Sequence, residues 1–230
     1  MPITKNEPPA IGIIGGSGLY QMEELRDATE HKIDTPFGSP SDMLVGGKLG
    51  ERQVYFLPRH GRGHRILPHE INYRANIYAL RSLNVRWIIS VAAVGSLQEK
   101  YAPRDVVLPS QFYDRTSQRA IHTFFGDGIA AHVAFSEPIS ANLRNLVAES
   151  ARSLSVSVHN GGTYVNMDGP AFSTRAESEF NRFWHTISSQ RNLEPLRASA
   201  LDSATALQAE TASRLVSVFL PWLVATTSGL

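Results

Sequence analysis

The sequence predicts an α/β fold, on three observations. Short apolar runs recur at residues 11–14, 54–57 and 87–94, and each leads into a loop rich in glycine or small residues. Segments with helical period follow, at residues 72–83 and 140–154. The chain has 230 residues, enough to bury a core around such elements.

Composition narrows the function classes. Hydrophobic residues make up 42% and charged residues 19%, an ordinary globular balance. The formal net charge of +1 gives no reason to expect a nucleic-acid or membrane-surface partner. With no cysteine, disulfides, thiolate nucleophiles and Cys-type zinc sites are excluded. Residues 1–10 are polar and Pro-rich without an apolar signal core, and no apolar run is long enough to span a bilayer. A cytosolic or nuclear compartment is the expectation.

Residues 11–14 (Ile-Gly-Ile-Ile) are expected to form a buried strand that breaks at Gly15-Gly16-Ser17-Gly18. Three glycines in four residues allow a sharp turn with several N–H groups facing one point, and Ser17 adds a hydroxyl. Such a loop cradles an anion, although Gly-rich turns also open domains that bind nothing. Neither G-x-G-x-x-G nor G-K-[ST] is present.

Residues 22–32 are charged and surface-like. Residues 35–42 are turn-rich, and residues 43–45 and 54–57 are expected to pair as strands around the Gly-rich turn at 46–50. The second of these strands ends in Arg59-His60-Gly61-Arg62-Gly63-His64-Arg65, three arginines and two histidines in seven residues. A guanidinium fork suits phosphate or carboxylate. A metal site of His60, His64 and His69 is the competing reading, but the interspersed arginines would repel a dication. In the helix over 72–83, Tyr73, Ile77, Leu80 and Leu83 mark the expected buried face. Residues 87–96 form a further expected strand, ending at Ala92, Ala93 and Gly95, a third small-residue loop of the kind a backbone-lined phosphate pocket needs.

A short strand is expected at 105–109, then a polar loop over 116–128. His132 stands in an apolar segment, where a lone histidine is more often structural than catalytic. Ser140 is the expected N-cap of a helix with Leu143, Leu146, Val147 and Leu154 on one face. Residues 155–159 alternate as a half-exposed strand does. A strand near 163–167 leads into Gly169-Pro170 and a helix start capped by Ser173 or Thr174. Phe172 either stacks on an aromatic ligand or fills a core, and the core is the preferred reading from the residues alone.

These segments together resemble the trimeric purine nucleoside phosphorylase family, in its 5′-methylthioadenosine phosphorylase branch. The likeness is carried by residues 11–19, 35–42, 59–64, Pro68 with 72–80, 95–97, Asp105 and 169–177, in order. Phe172-Ser173-Thr174-Arg175 is similar to the methylthioadenosine branch, whereas the 6-oxopurine enzymes usually carry an acid after that phenylalanine. The resemblance implies a twisted mixed β-sheet flanked by helices, a homotrimer, and phosphorolysis of a nucleoside to adenine and a ribose 1-phosphate derivative. It implies no metal or organic cofactor, inorganic phosphate being a co-substrate, and no nucleic-acid or membrane partner. It implies phosphate held by Ser17, Arg59, His60, Ala92 and Ala93. Phe172 and Ser173 would lie at the base, and His132 would reach into a neighbouring subunit's site.

The likeness stops after Trp184. The family continues with a Met-Thr strand and an Asp-x-Asp pair that reads the adenine amino group, and residues 185–230 contain neither. Ser, Thr and Ala make up 19 of these 46 residues, and 16 of the 17 glycines precede them. The expected organisation is therefore an incomplete phosphorylase-like domain over 1–184, truncated on its C-terminal side. The divergent tail over 185–230 would come from an altered reading frame or a mispredicted splice junction. The tail, poor in strand-like alternation, is expected to leave a gap in the sheet, and the chain as written to be inactive or nearly so. The function expected from the family is methylthioadenosine phosphorylase. A non-catalytic phosphate-binding relative is the alternative, and a metal hydrolase a third reading.

Overall fold

The computed structural model describes residues 8–16, 23–116, 123–153, 156–167, 171–183 and 186–188. They fall into two compact units. The first comprises residues 8–16, 23–92 and 123–126, and the second the remainder.

The first unit is built on a five-stranded mixed sheet. Its strands are β1 (Ala10–Gly15), β2 (Arg26–His31), β3 (Leu44–Leu49), β4 (Arg52–Pro58) and β5 (Val85–Ser90), in the order β2-β3-β4-β1-β5. β4, β1 and β5 run parallel, while β3 pairs antiparallel with both β4 and β2. β1 is apolar along its length because it is central, with a parallel neighbour on each side. β2 occupies the edge and is exposed at Arg26 to Glu30, so the charged stretch at 22–32 is a strand as well as a surface. Charge on an edge strand discourages pairing with another chain.

The expected turn at 46–50 is corrected. Gly46 and Gly47 lie inside β3, and the reversal begins at Gly50. The reason is space: a Cβ on Gly47 would come within 2.6 Å of Leu25 Cδ1 and 2.9 Å of the Arg26 carbonyl oxygen. Glycine there reports close packing against Leu25 and Arg26 at the start of β2, not a bend.

The helix predicted over 72–83 is α1 (Tyr73–Ser82), capped by Asn72, whose side chain accepts from the Ala75 N–H at 3.1 Å. Its buried face is Ala75, Asn76, Ala79 and Leu80. Tyr73 and Ile77 are each 37% exposed. Leu80 lies in the core as expected, but alanines, not the larger residues, surround it on that face. Small residues let the helix lie close to the sheet, where Ala79 and Leu80 pack with Ala10, Leu44, Leu57 and Val85. The expected single strand over 87–96 is also corrected: β5 ends at Ser90, and Gly95–Ser96 forms a separate strand, β6, in the second unit.

The second unit contains a four-stranded sheet, β6-β11-β10-β8, and a parallel pair, β7-β9. The strands are β7 (Val106–Leu108), β8 (Gln111–Asp114), β9 (Val158–Asn160), β10 (Thr163–Asn166) and β11 (Thr186–Ser188). Helix α2 (Ala141–Arg152) packs on β7 and β9. Ser140 caps α2 as predicted, accepting from the Leu143 N–H at 3.3 Å. The deepest residues of α2 are Ala148, Ser150 and Ala151, while Leu143, Leu146 and Val147 are half-buried. Leu154 lies outside the described residues. At the β7–β9 pair, Asp105 accepts from His159 Nε2 at 2.7 Å and from the Ala102 N–H at 2.9 Å. The His159 hydrogen bond, ahead of the backbone bond, holds the Asp105 carboxyl below its ordinary value of 3.8, against the raising effect of burial.

Helix α3 (Arg175–Phe183) starts with a reciprocal cap. Thr174 Oγ1 accepts from the Glu177 N–H at 3.2 Å, and Glu177 accepts from the Thr174 N–H at 2.7 Å. The expected gap after Trp184 is filled over three residues: Thr186–Ser188 pairs parallel with β10 and antiparallel with β6. Thr-Ile-Ser supplies a period-two alternation, too short to stand out in a Ser/Thr/Ala-rich stretch. Among the described residues no helix is long and apolar enough to cross a membrane.

Candidate functional site: an anion loop at three parallel strand ends

In the first unit the sheet register aligns three strand ends. Gly15, the last residue of β1, is opposite Pro58, the last of β4, and Ile14 is opposite Ser90, the last of β5. The ladder continues past the strands, with Arg59 N–H donating to the Gly15 carbonyl at 2.9 Å and Val91 N–H to the Ile14 carbonyl at 2.8 Å. Gly15-Gly16, Arg59-His60 and Val91-Ala92 therefore leave the same edge, the carboxyl ends of parallel strands, where ligands bind in open α/β sheets. The starts of three loops that the sequence suggested separately are neighbours because β1 lies between β4 and β5. Ser17 lies outside the described residues. Ala92 is half-buried, and Ala93, which is exposed, belongs to the second unit.

The basic loop is a folded object. Gly61 N–H donates to the Pro58 carbonyl at 2.9 Å, and the N–H groups of Arg65 and Ile66 both donate to the His60 carbonyl. Gly61 has φ +68°, and a Cβ there would sit 3.2 Å from the Ser41 carbonyl oxygen, so the turn needs glycine. His60 Nδ1 is 2.9 Å from the Ile66 carbonyl oxygen, which can only accept. That puts the proton of the neutral ring on Nδ1 and leaves Nε2 to accept from Arg59 Nε at 3.3 Å. The pair holds the half-buried arginine by its Nε, so that the terminal NH₂ groups remain to form a fork.

Burial pushes His60 below its ordinary 6.5, against the raising effect of its bond to Ile66, and the charges of Arg59 and His64 lower it further. The His64 ring lies 4.4 Å away, centroid to centroid. The sign of the consequence follows from linkage. The unfolded chain takes up the proton first as pH falls, so stability attributable to His60 is complete above 6.5 and declines below it, until the lowered folded value is reached. In phosphate-free buffer, His60→Gln is expected to flatten this part of the stability–pH profile relative to the parent chain. Identical slopes in the two proteins would overturn it.

The residues expected near a base or a 5′ group lie in the second unit. Phe172 is 58% exposed, which corrects the core reading, while Ser173 is buried with its Oγ 3.2 Å from Ser178 Oγ. His132 is exposed, in a segment where Ile129, Val133 and Phe135 are each more than 60% exposed. Tyr113, Arg115, Ala176, Glu177 and Phe180 line an open cavity of about 320 Å³, across which Arg115 pairs with Glu177 at 2.8 Å. Hydrogen bonds from the Thr174 N–H and then from Arg115 keep the Glu177 carboxyl below its usual range. Among the described residues no three His, Asp or Glu side chains converge to hold a metal, His60, His64 and His69 included.

The family profile described as the phosphorylase superfamily matches residues 10–214. The chain belongs to that superfamily. Within it, the chain is 56% identical over 178 residues to the S-methyl-5′-thioadenosine phosphorylase of Gloeobacter violaceus, covering 76% of this chain and 59% of that one. It is 51% identical over 185 residues to the enzyme of the same name from Saccharolobus solfataricus, covering 80% and 67%. Among solved structures it superposes on a methylthioadenosine phosphorylase from an Antarctic soil metagenomic library with a TM-score of 0.87 at 37% identity, covering 96% of this chain and 88% of that one. It superposes on the Schistosoma mansoni methylthioadenosine phosphorylase in complex with adenine with a TM-score of 0.84 at 29% identity, covering 95% and 92%. This phosphorylase-superfamily chain spans about three fifths of the length of curated relatives it matches, at 59%, 63% and 60%.

Proposed function

We propose that the chain is an S-methyl-5′-thioadenosine phosphorylase, cleaving the N-glycosidic bond with inorganic phosphate to give adenine and 5-methylthioribose 1-phosphate. The observation that carries the reading is the convergence of the β1, β4 and β5 ends, which brings Gly15-Gly16 beside Arg59-His60. The names borne by its relatives support the substrate class. As the purine leaves, the ribose becomes oxocarbenium-like, and the phosphate dianion serves as both nucleophile and counter-charge. The protein's task is positioning and electrostatic stabilisation, which needs no covalent nucleophile, metal or organic cofactor. Ser17, Arg59, His60, Ala92 and Ala93 hold the phosphate in this proposal, and Phe172 and Ser173 face the base. His132, on its exposed segment, completes the site of a neighbouring subunit in a homotrimer. The reaction belongs to methionine and purine salvage and would be cytoplasmic.

The test is release of free purine with and without phosphate, by the purified chain and by a fusion of residues 1–184 to a family-like ending, the fusion deciding where the chain's own turnover is too slow to measure. Adenine release from methylthioadenosine is expected to require phosphate and to exceed hypoxanthine release from inosine, because Ser173-Thr174 replaces the acid of the 6-oxopurine enzymes. Release without phosphate, its loss on adding a chelator, or equal turnover of inosine would overturn the proposal.

A further inference from the structure

Asp42 lies in a turn that the phosphate chemistry does not use, yet both of its carboxylate oxygens face Arg62 of the anion loop. Its Oδ2 accepts from the backbone N–H of Arg62 at 2.6 Å, and its Oδ1 lies 3.6 Å from Arg62 Nε. The carboxylate is 12% exposed, and Oδ1 also accepts from the Met43 N–H at 2.8 Å. The turn carrying it is anchored in turn. Ser41 N–H donates to Asn76 Oδ1 at 2.8 Å, and Asn76 Nδ2 donates back to Ser41 Oγ at 2.9 Å. Asn76 is 3% exposed in the middle of α1, a buried amide retained by that reciprocal pair. A continuous chain of contacts thus runs from the helix core through Ser41 and Asp42 to Arg62, two residues beyond His60.

We propose that Asp42 is a positioning residue for the anion loop: by gripping the Arg62 backbone it fixes the turn at Gly61 and so the orientation in which Arg59 and His60 meet an oxyanion. The proposal rests on the assignment of that loop to phosphate. A carboxylate so close to a phosphate site is otherwise costly, because its charge repels the ligand. Here the charge is directed at the Arg62 backbone and guanidinium, and Arg62 Nη1 also pairs with Glu30 on the solvent side at 2.6 Å. Rigid support of this kind lowers the ordering cost when a ligand binds.

The experiment is calorimetric titration of inorganic phosphate into the parent 230-residue chain and into Asp42→Ala, Asp42→Asn, Glu30→Gln and Arg59→Ala. Loss of a charge-assisted hydrogen bond from the loop should weaken phosphate binding by about tenfold or more in Asp42→Ala. The amide oxygen of Asp42→Asn can still accept from the Arg62 N–H, so that variant should lose only about threefold. Glu30→Gln should bind as the parent does. A purely structural role would lower the melting temperature without changing phosphate affinity of the folded protein, so the dissociation constant is the deciding readout. Parent-like affinity in both Asp42 variants overturns the positioning role and leaves the loop assignment standing. If Asp42→Ala does not fold, parent-like affinity in Asp42→Asn has the same force. A Glu30→Gln loss equal to that of Asp42→Asn overturns it too, since the effect would then lie in the Arg62 charge. Absence of phosphate binding in both the parent and Arg59→Ala overturns the loop assignment, and the proposal with it.

Discussion

Arg59→Ala is expected to remove most of the rise in melting temperature that phosphate confers on this protein. Arg59 leaves β4 where its N–H extends the ladder to Gly15, and its Nε is held by His60. The remaining guanidinium donors form a fork fixed at both backbone and side chain, the arrangement suited to two oxygens of a phosphate. A ligand present at 100 times its dissociation constant stabilises a folded chain by about 2.7 kcal/mol. Hydrogen bonds to charged groups contribute about 1.5–3 kcal/mol each, so losing both arms of the fork should weaken binding roughly 100-fold or more. At the same phosphate concentration the stabilisation then falls to about 0.4 kcal/mol or less. Arg59→Lys should fall between, keeping the charge without the planar fork. Melting curves over a phosphate series, with chloride matched for ionic strength, make the measurement. A phosphate-dependent shift in Arg59→Ala equal to that of the parent would remove Arg59 from the site.

The parts of this site that could be found in the sequence are those whose chemistry is contiguous. Residues 11–14 and 54–57 announce strands by apolar, β-rich runs, and the loops that follow announce themselves by glycine and arginine. Their convergence could not be read, because it depends on β1 lying between β4 and β5 in parallel register. Helix faces failed for a related reason. Periodicity weighted by hydrophobic size favours Tyr73 and Ile77 in α1, but the closeness of the sheet selects Ala75 and Ala79, and a buried Asn76 is selected by its partner Ser41. The same bias toward large side chains assigned Leu143 and Leu146 of α2 a burial that Ala148 and Ala151 have instead. Asp42 gave only a turn signal, since its partner is 20 residues away. Phe172 misled through composition: an aromatic beside Gly-Pro and Ala resembles core filling, and here it is largely exposed.

The second large effect concerns rate. Phosphorolysis requires that the purine be held while negative charge develops on it, and the family resemblance assigns that task to an Asp-x-Asp pair and the alignment of ribose and phosphate to a Met-Thr segment. Residues 185–230 carry neither, and their one aspartate is Asp202. β11 changes what this implies. Because Thr186–Ser188 occupies the place between β10 and β6, the sheet is not left open there, and the effect should fall on chemistry more than on folding. Removing one aligned donor from a transition state costs about 10²–10³ in rate. Several acting on one leaving group cost more, though not as the product of the single losses. A fusion of residues 1–184 to a family-like ending should therefore release adenine from methylthioadenosine at least about 10²-fold faster than the 230-residue chain. Both should bind phosphate, since Arg59, His60 and their supports are common to the two. Single-turnover adenine release at saturating phosphate, with phosphate affinity measured in parallel, separates the two outcomes. Equal rates would mean that residues 185–230 supply their own means of stabilising the departing base, and lower phosphate affinity in the 230-residue chain would measure the share of the Met-Thr segment in holding the phosphate.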